Sequence, residues 1–117
     1  MSRERRSAEG GAILENLLAN ADLHTPPGSR IWIRCWREGD TAAVIAVEDD
    51  GPGVPAELAT KIFDAFYRGP GSGRTPGSGI GLSLVARFAE MHGGRAWVQE
   101  REGGGSSFRV LLPDATG

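Results

Sequence analysis

The chain has one cysteine, one tyrosine and one lysine in 117 residues, and the scarcities exclude several classes of protein. A single cysteine, Cys35, rules out an internal disulfide framework and a cysteine metal cluster. It stands in an alternating apolar run and is expected to be a small buried hydrophobe. Lys61 is the only lysine beside twelve arginines, a usage that reflects genome composition more than function. Charge of one sign is also lacking: 13 basic residues face 15 acidic ones, and a net charge of −2 gives no general attraction to nucleic acid or an anionic membrane. No apolar run approaches the ~20 residues of a membrane span, so no direct membrane insertion is expected. Residues 1–11 are too polar for a signal peptide. The expected location is the reducing cytoplasm, with any membrane tether supplied by a partner or a missing N-terminal region. The remaining composition, 39% apolar and 24% charged, is that of one ordinary globular domain.

Glycine, by contrast, is plentiful, with 18 residues. The stretch Gly77-Ser78-Gly79-Ile80-Gly81-Leu82 alternates it with other residues, which lets backbone N–H groups approach an anion without a Cβ in the way. A helix is expected from Ser83 to His92, with Leu82, Val85, Phe88 and Ala89 on one face. A glycine loop opening a helix offers unpaired donors and a positive dipole end to phosphate. Taken alone, the same loop also reads as a flexible turn. Directly before it, residues 68–77 form a Gly-, Pro- and Ser-rich loop whose only charges are Arg68 and Arg74, placed where a lid over a phosphate belongs.

The rest of the chain reads in order. Met1 to Gly11 has no apolar periodicity and is expected to be frayed. Ala12 to Leu23 is a helix with Ile13, Leu14, Leu17, Leu18 and Ala21 as its stripe. Asn16 and Asn20 lie one turn apart on a neighbouring face; for an arbitrary helix they would be surface or cap residues. Thr25-Pro26-Pro27-Gly28 stops it. Arg30–Glu38 and Thr41–Glu48 alternate as strands around a Gly39-Asp40 hairpin. Asp49-Asp50-Gly51-Pro52-Gly53 then turns the chain. A short helix at Pro55–Phe63 precedes the aromatic residues Phe66 and Tyr67. Past the glycine segment, Arg95–Arg101 and Ser106–Leu112 are two more strands. The order predicts an α+β two-layer sandwich: a mixed, largely antiparallel sheet covered on one face by about three helices.

Five elements in this order resemble the ATP-binding catalytic domain of bacterial sensor histidine kinases, within the wider GHKL ATPase group. Residues 16–21 with His24-Thr25-Pro26 look like the N box, residues 49–55 like the first glycine box, and residues 62–68 like the F box. Residues 77–82 resemble the second glycine box and residues 103–108 the third. The match runs from about Ile13 to Pro113. It implies a Bergerat-type fold whose first strand, before the N-box helix, is apparently missing here. It divides the chain into an N-terminal segment 1–11, disordered or truncated, an ATP-binding domain 12–113 with its lid at 68–79, and a tail 114–117.

The resemblance also implies roles. Asp49 occupies the place of the carboxylate that accepts a hydrogen bond from the adenine amino group, with Gly51 and Gly53 passing close under the base. Asn20 occupies the place of the asparagine whose oxygen binds Mg²⁺ on the ATP phosphates. Gly77, Ser78, Gly79, Ile80, Gly81 and Leu82 face the phosphates, and Arg68 or Arg74 neutralises the γ-phosphate as the lid closes. Asn16, His24, Phe66, Ser106 and Ser107 complete the nucleotide-contacting set, with Asn16, Asn20 and Arg68 as the catalytic group. Leu23 stands where relatives often carry a lysine, so one phosphate contact is not expected.

Asn16 selects a branch. Hydrolytic members carry a water-activating Glu one turn before the magnesium asparagine, and Asn has no such basicity. The implied function is transfer of the γ-phosphoryl group to a histidine on a separate phosphoacceptor hairpin, with a response regulator downstream. The alternative is a non-catalytic nucleotide-binding regulator of the same fold, anti-sigma-like, or a decayed kinase fragment.

Overall fold

The computed structural model describes residues 3–59, 61–63 and 78–114. Its elements are α1 (Arg3–His24), β1 (Ile31–Glu38), β2 (Ala42–Asp49), α2 (Ser78–Met91), β3 (Arg95–Glu100) and β4 (Ser106–Pro113). The strands form one open sheet in the order β1-β2-β4-β3, with every pairing antiparallel. Both hairpins therefore share one sheet, and β2 and β4 are its inner strands. This is the α+β architecture expected from the sequence, with two helices on one face and no parallel strand among the described residues.

The helices seal that face through their predicted stripes. Ile13, Leu17 and Ala21 of α1 and Leu82, Val85 and Ala89 of α2 are buried against Val47, Val98, Phe108 and Val110 of the sheet. Leu14, Leu18 and Phe88 pack around this core. Burial of each large side chain contributes about 1.5–3 kcal/mol, so the stripes dominate local propensity. That explains how α1 extends to Arg3, well before the predicted start at Ala12. Arg, Glu and Ala are strong helix formers, and lengthening a helix already nucleated by packing costs little per residue.

Three other expectations need correction. The described residues of the predicted helix at 55–63 form turns: Leu58 and Ala59 bond back to Pro55 and Ala56, and Ile62 bonds to Leu58. The segment is too short to propagate, and it is anchored by Ile62 in the core. Cys35 is exposed, not buried. It lies on edge strand β1, whose helix-side residues Ile31 and Ile33 are also exposed, because α1 and α2 pack on β2, β3 and β4. Finally, α2 begins at Ser78, so the glycine-rich residues 78–81 are its first turn and not a loop before it.

The other face of the sheet carries no helix among the described residues. In register across it lie Trp32, Arg34 and Trp36 of β1, Glu48 of β2, Ser107 and Arg109 of β4, and Trp97 of β3. Guanidiniums cover the indoles, with Arg34 and Arg109 both about 5 Å from the Trp36 ring centre and Arg101 at 4.0 Å from that of Trp32. Beneath them Val44 and Ala46 are buried without a second layer.

Candidate functional site

The site assembles where α1, the end of β2 and the start of β4 meet. Asp49 is the last residue of β2 and is 3% exposed. Its Oδ1 accepts the N–H of Gly51 at 3.0 Å, an Asx turn that bends the chain away and fixes the carboxylate. The neighbouring Asp50 turns the other way. Its Oδ1 accepts the Arg30 N–H at 2.7 Å and its own N–H donates to the Arg30 carbonyl, clipping the exposed side of the turn. Of two adjacent aspartates in the sequence, Asp49 ends the strand buried and Asp50, just past it, lies at the surface.

Glycine is required around Asp49 for space. A Cβ on Gly51 would stand 3.0 Å from Thr25 Cγ2 and 3.1 Å from Asp49 Oδ1. Gly105, with φ +101°, lies against the Asp49 main chain so closely that a Cβ would overlap the Asp49 carbonyl. Gly53 adopts φ +84° and faces the Gly105 carbonyl. Thr25 links this turn to α1: its Oγ1 and N–H both donate to the Ala21 carbonyl, at 2.7 and 3.1 Å, closing the helix end. Neither Thr25 nor Gly105 stood among the predicted site residues. Thr25 could have been found as a hydroxyl beside the helix-stopping prolines, Gly105 as the third glycine of a run.

The predicted residues fall into groups. Asn20 is buried on α1 at 6% exposure, one turn after half-buried Asn16, and His24 is the last residue of the helix. Asp49, Gly51, Gly53 and Ser106 come together, Ser106 pairing directly opposite Asp49 and buried. Ser78, Gly79, Ile80 and Gly81 form the first turn of α2, which carries no acidic residue there, so N–H groups without an intrahelical acceptor and the positive dipole end favour an anion. Phe66, Arg68, Arg74 and Gly77 lie outside the described residues.

Ser107 lies away from the other predicted residues, and Leu82 is available through its main chain alone. Ser107 is one residue past Ser106 and therefore on the opposite face, where its Oγ donates to Glu48 at 2.7 Å. Leu82 is 4% exposed and belongs to the core, leaving only its main chain for a ligand.

Burial by itself pushes the Glu48 carboxyl up, but the Ser107 hydrogen bond, the Arg34 charge and the hydrogen bonds of Arg34 and Arg109 hold it below the ordinary value. Among the described residues no cluster of three or more His, Cys, Asp or Glu side chains could hold a metal. Asn20 carries an amide oxygen of the kind a hard cation takes. Among the described residues no helix is long and apolar enough to cross a membrane.

This arrangement has counterparts. Residues 11–116 match the family described as histidine kinase-, DNA gyrase B- and HSP90-like ATPase. The signal transduction histidine-protein kinase/phosphatase MprB of Mycolicibacterium smegmatis is 40% identical over 108 residues, covering 89% of this chain and 22% of the relative. The chain thus spans about a fifth of that kinase's length. The solved mycobacterial sensor histidine kinase MprB superposes with a TM-score of 0.78 at 31% identity, covering 92% of this chain and 73% of that one. The histidine kinase ThkA, solved in complex with the response regulator TrrA, gives 0.69 at 30% identity over 88% of this chain and 28% of that one. The chain belongs to the histidine kinase-, DNA gyrase B- and HSP90-like ATPase family.

Proposed function

We propose that this chain is the ATP-binding catalytic domain of a two-component sensor histidine kinase, passing the γ-phosphoryl group to a histidine on a separate phosphoacceptor hairpin. The observation that carries the reading is Asp49: a carboxylate at 3% exposure, with one oxygen fixed by Gly51 and room made by two glycines. Such a group accepts a hydrogen bond from the exocyclic amine of adenine, whereas guanine presents a carbonyl there and is repelled.

The nucleotide-binding unit occupies residues 12–113, with residues 68–79 as its lid. The phosphates lie at the first turn of α2, drawn by its N–H groups and dipole. Asn20 supplies an amide oxygen suited to Mg²⁺, which when bound neutralises charge between the phosphates. Asn16 has no basicity with which to activate water, so this chain holds ATP for transfer and not for hydrolysis. The partner accepts the phosphoryl group on an imidazole nitrogen, and a response regulator takes it onward, as the ThkA pairing with TrrA supports.

Titration calorimetry with ATP and GTP in Mg²⁺ tests this reading. ATP is expected to bind more tightly than GTP. Asp49→Ala is expected to cost about 1.5–3 kcal/mol for ATP, a ten- to hundredfold loss, and to erase the discrimination. Equal affinity for the two nucleotides in the unaltered chain would overturn it.

A further inference from the structure

The densest set of charged side chains away from the nucleotide site surrounds Glu48, on the outer face of the sheet. Glu48 is 5% exposed. One of its oxygens accepts Ser107 Oγ at 2.7 Å and Arg109 Nη2 at 3.4 Å; the other accepts Arg34 Nη1 at 3.4 Å. Arg109 Nε also donates to Ser107 Oγ at 2.8 Å, closing the network. Both guanidiniums rest on the Trp36 ring, which limits their freedom. The open cavity above them, about 540 Å³, is completed by Gln99 and Glu100 of β3 and by Arg101 and Glu102 of the hairpin that follows. Three arginines and three glutamates line it, so its charges balance and it does not select an anion.

What this network does is mechanical. Glu48 is the penultimate residue of β2, and its partners come from β1 on one side and β4 on the other. It fastens the sheet side chain to side chain in the row adjoining the Asp49–Ser106 pair. Past Asp49 the strand ends, and Glu48 is the last β2 side chain tied to both neighbouring strands before that end. Successive side chains point to opposite faces, so a twist of β2 at Glu48 reappears as a swing of the Asp49 carboxylate.

We infer that Glu48 is a positioning residue for the nucleotide, holding the Asp49 carboxylate in line with the adenine amine from the far side of the sheet. The inference rests on the reading of Asp49 as the base-selecting group. A ligand-contacting side chain works only as well as the shell that locks it, and Glu48 is the shell for Asp49.

The test is a mutant cycle read by calorimetry on the 117-residue chain, below the melting point of every variant. Glu48→Gln is expected to weaken ATP binding about five- to twentyfold and GTP binding less than about twofold, and to have almost no effect in an Asp49→Ala background, since coupled residues are not additive. Arg34→Met removes the β1 anchor through a surface side chain and is expected to show the same pattern at about threefold. A Glu48→Gln loss that is equal for ATP and GTP, or that persists undiminished beside Asp49→Ala, would mean a general loss of structure and overturns the inference. So does unchanged ATP affinity. If Asp49→Ala itself leaves ATP affinity intact, the base-selecting reading falls and this inference with it. If Asp49→Ala weakens ATP and Glu48→Gln does not, only the positioning role is lost.

Discussion

Gly105 and Asp49 pass so close that the sheet has no room for a Cβ between them: one on Gly105 would overlap the Asp49 carbonyl oxygen. The contact involves main chain on both sides, so no rotamer change relieves it. Gly105 also holds φ +101°, a region that side-chain-bearing residues rarely enter.

Gly105→Ala is therefore expected to destabilise the domain by more than about 2 kcal/mol through backbone strain and overlap together. In a domain of this size that lowers the melting temperature by about 8 °C or more. Gly104→Ala, where a Cβ meets nothing within 4 Å but φ is +110°, carries the strain without the overlap and is expected to cost less. Thermal unfolding of the two variants side by side checks the difference.

Asn20→Ala is expected to remove the Mg²⁺ dependence of ATP binding while leaving the fold intact, as the side chain sits on α1 beside the core and not within its apolar cluster. The isolated chain is expected to release no phosphate from ATP at a steady rate. Labelled γ-phosphate on an added phosphoacceptor hairpin, acid-labile as a phosphohistidine, is the expected product. Steady phosphate release abolished by Asn20→Ala would place the chain in a hydrolytic branch.

Glu48 makes a pH prediction of definite sign. Its carboxyl is held below its unfolded value near 4.5, burial being outweighed by Ser107, Arg34 and Arg109. The stability it lends is fully present above that value and is lost as pH falls through the lower, folded one. The melting-temperature gap between the unaltered chain and Glu48→Gln is expected to be largest above about pH 5 and to shrink steadily as the pH is lowered beyond it. A gap that widens toward acid would contradict the network.

Cys35 is exposed on the edge strand. In native buffer it is expected to react with a thiol reagent within about threefold of its rate in denaturant, because burial does not shield it. Protection of a hundredfold or more would place it in the core.

That same residue shows where sequence reasoning stops. Alternation of Ile31, Ile33 and Cys35 correctly gave a strand and a common face. Whether the face is covered depends on where α1 and α2 land, and they land on the other three strands. The two serines after Gly105 are a similar case: both look like ligand contacts in one dimension, and only the register with Asp49 assigns Ser106 inward and Ser107 outward. The hairpins, the helix stripes and the turn at Asp49 were legible because each rests on local chemistry: Gly39 at φ +63°, apolar spacing, and an Asx turn. The start of α1 was not, because nothing periodic marks residues that a packed helix merely carries along.

The glycines at the head of α2 have one last consequence, for the length of that helix. Gly79 and Gly81 each cost about 1 kcal/mol relative to alanine within a helix, and Leu82 is the first buried anchor of α2 among the described side chains. The two glycines thus give the first turn a lower helix propensity than the rest. A phosphate group accepting its N–H groups acts as an N-cap supplied from solution. Amide hydrogens of residues 79–82 are expected to exchange quickly without nucleotide and slowly with it, while those of Val85 to Ala89 stay protected throughout. The end of the helix would then serve as the gauge of occupancy.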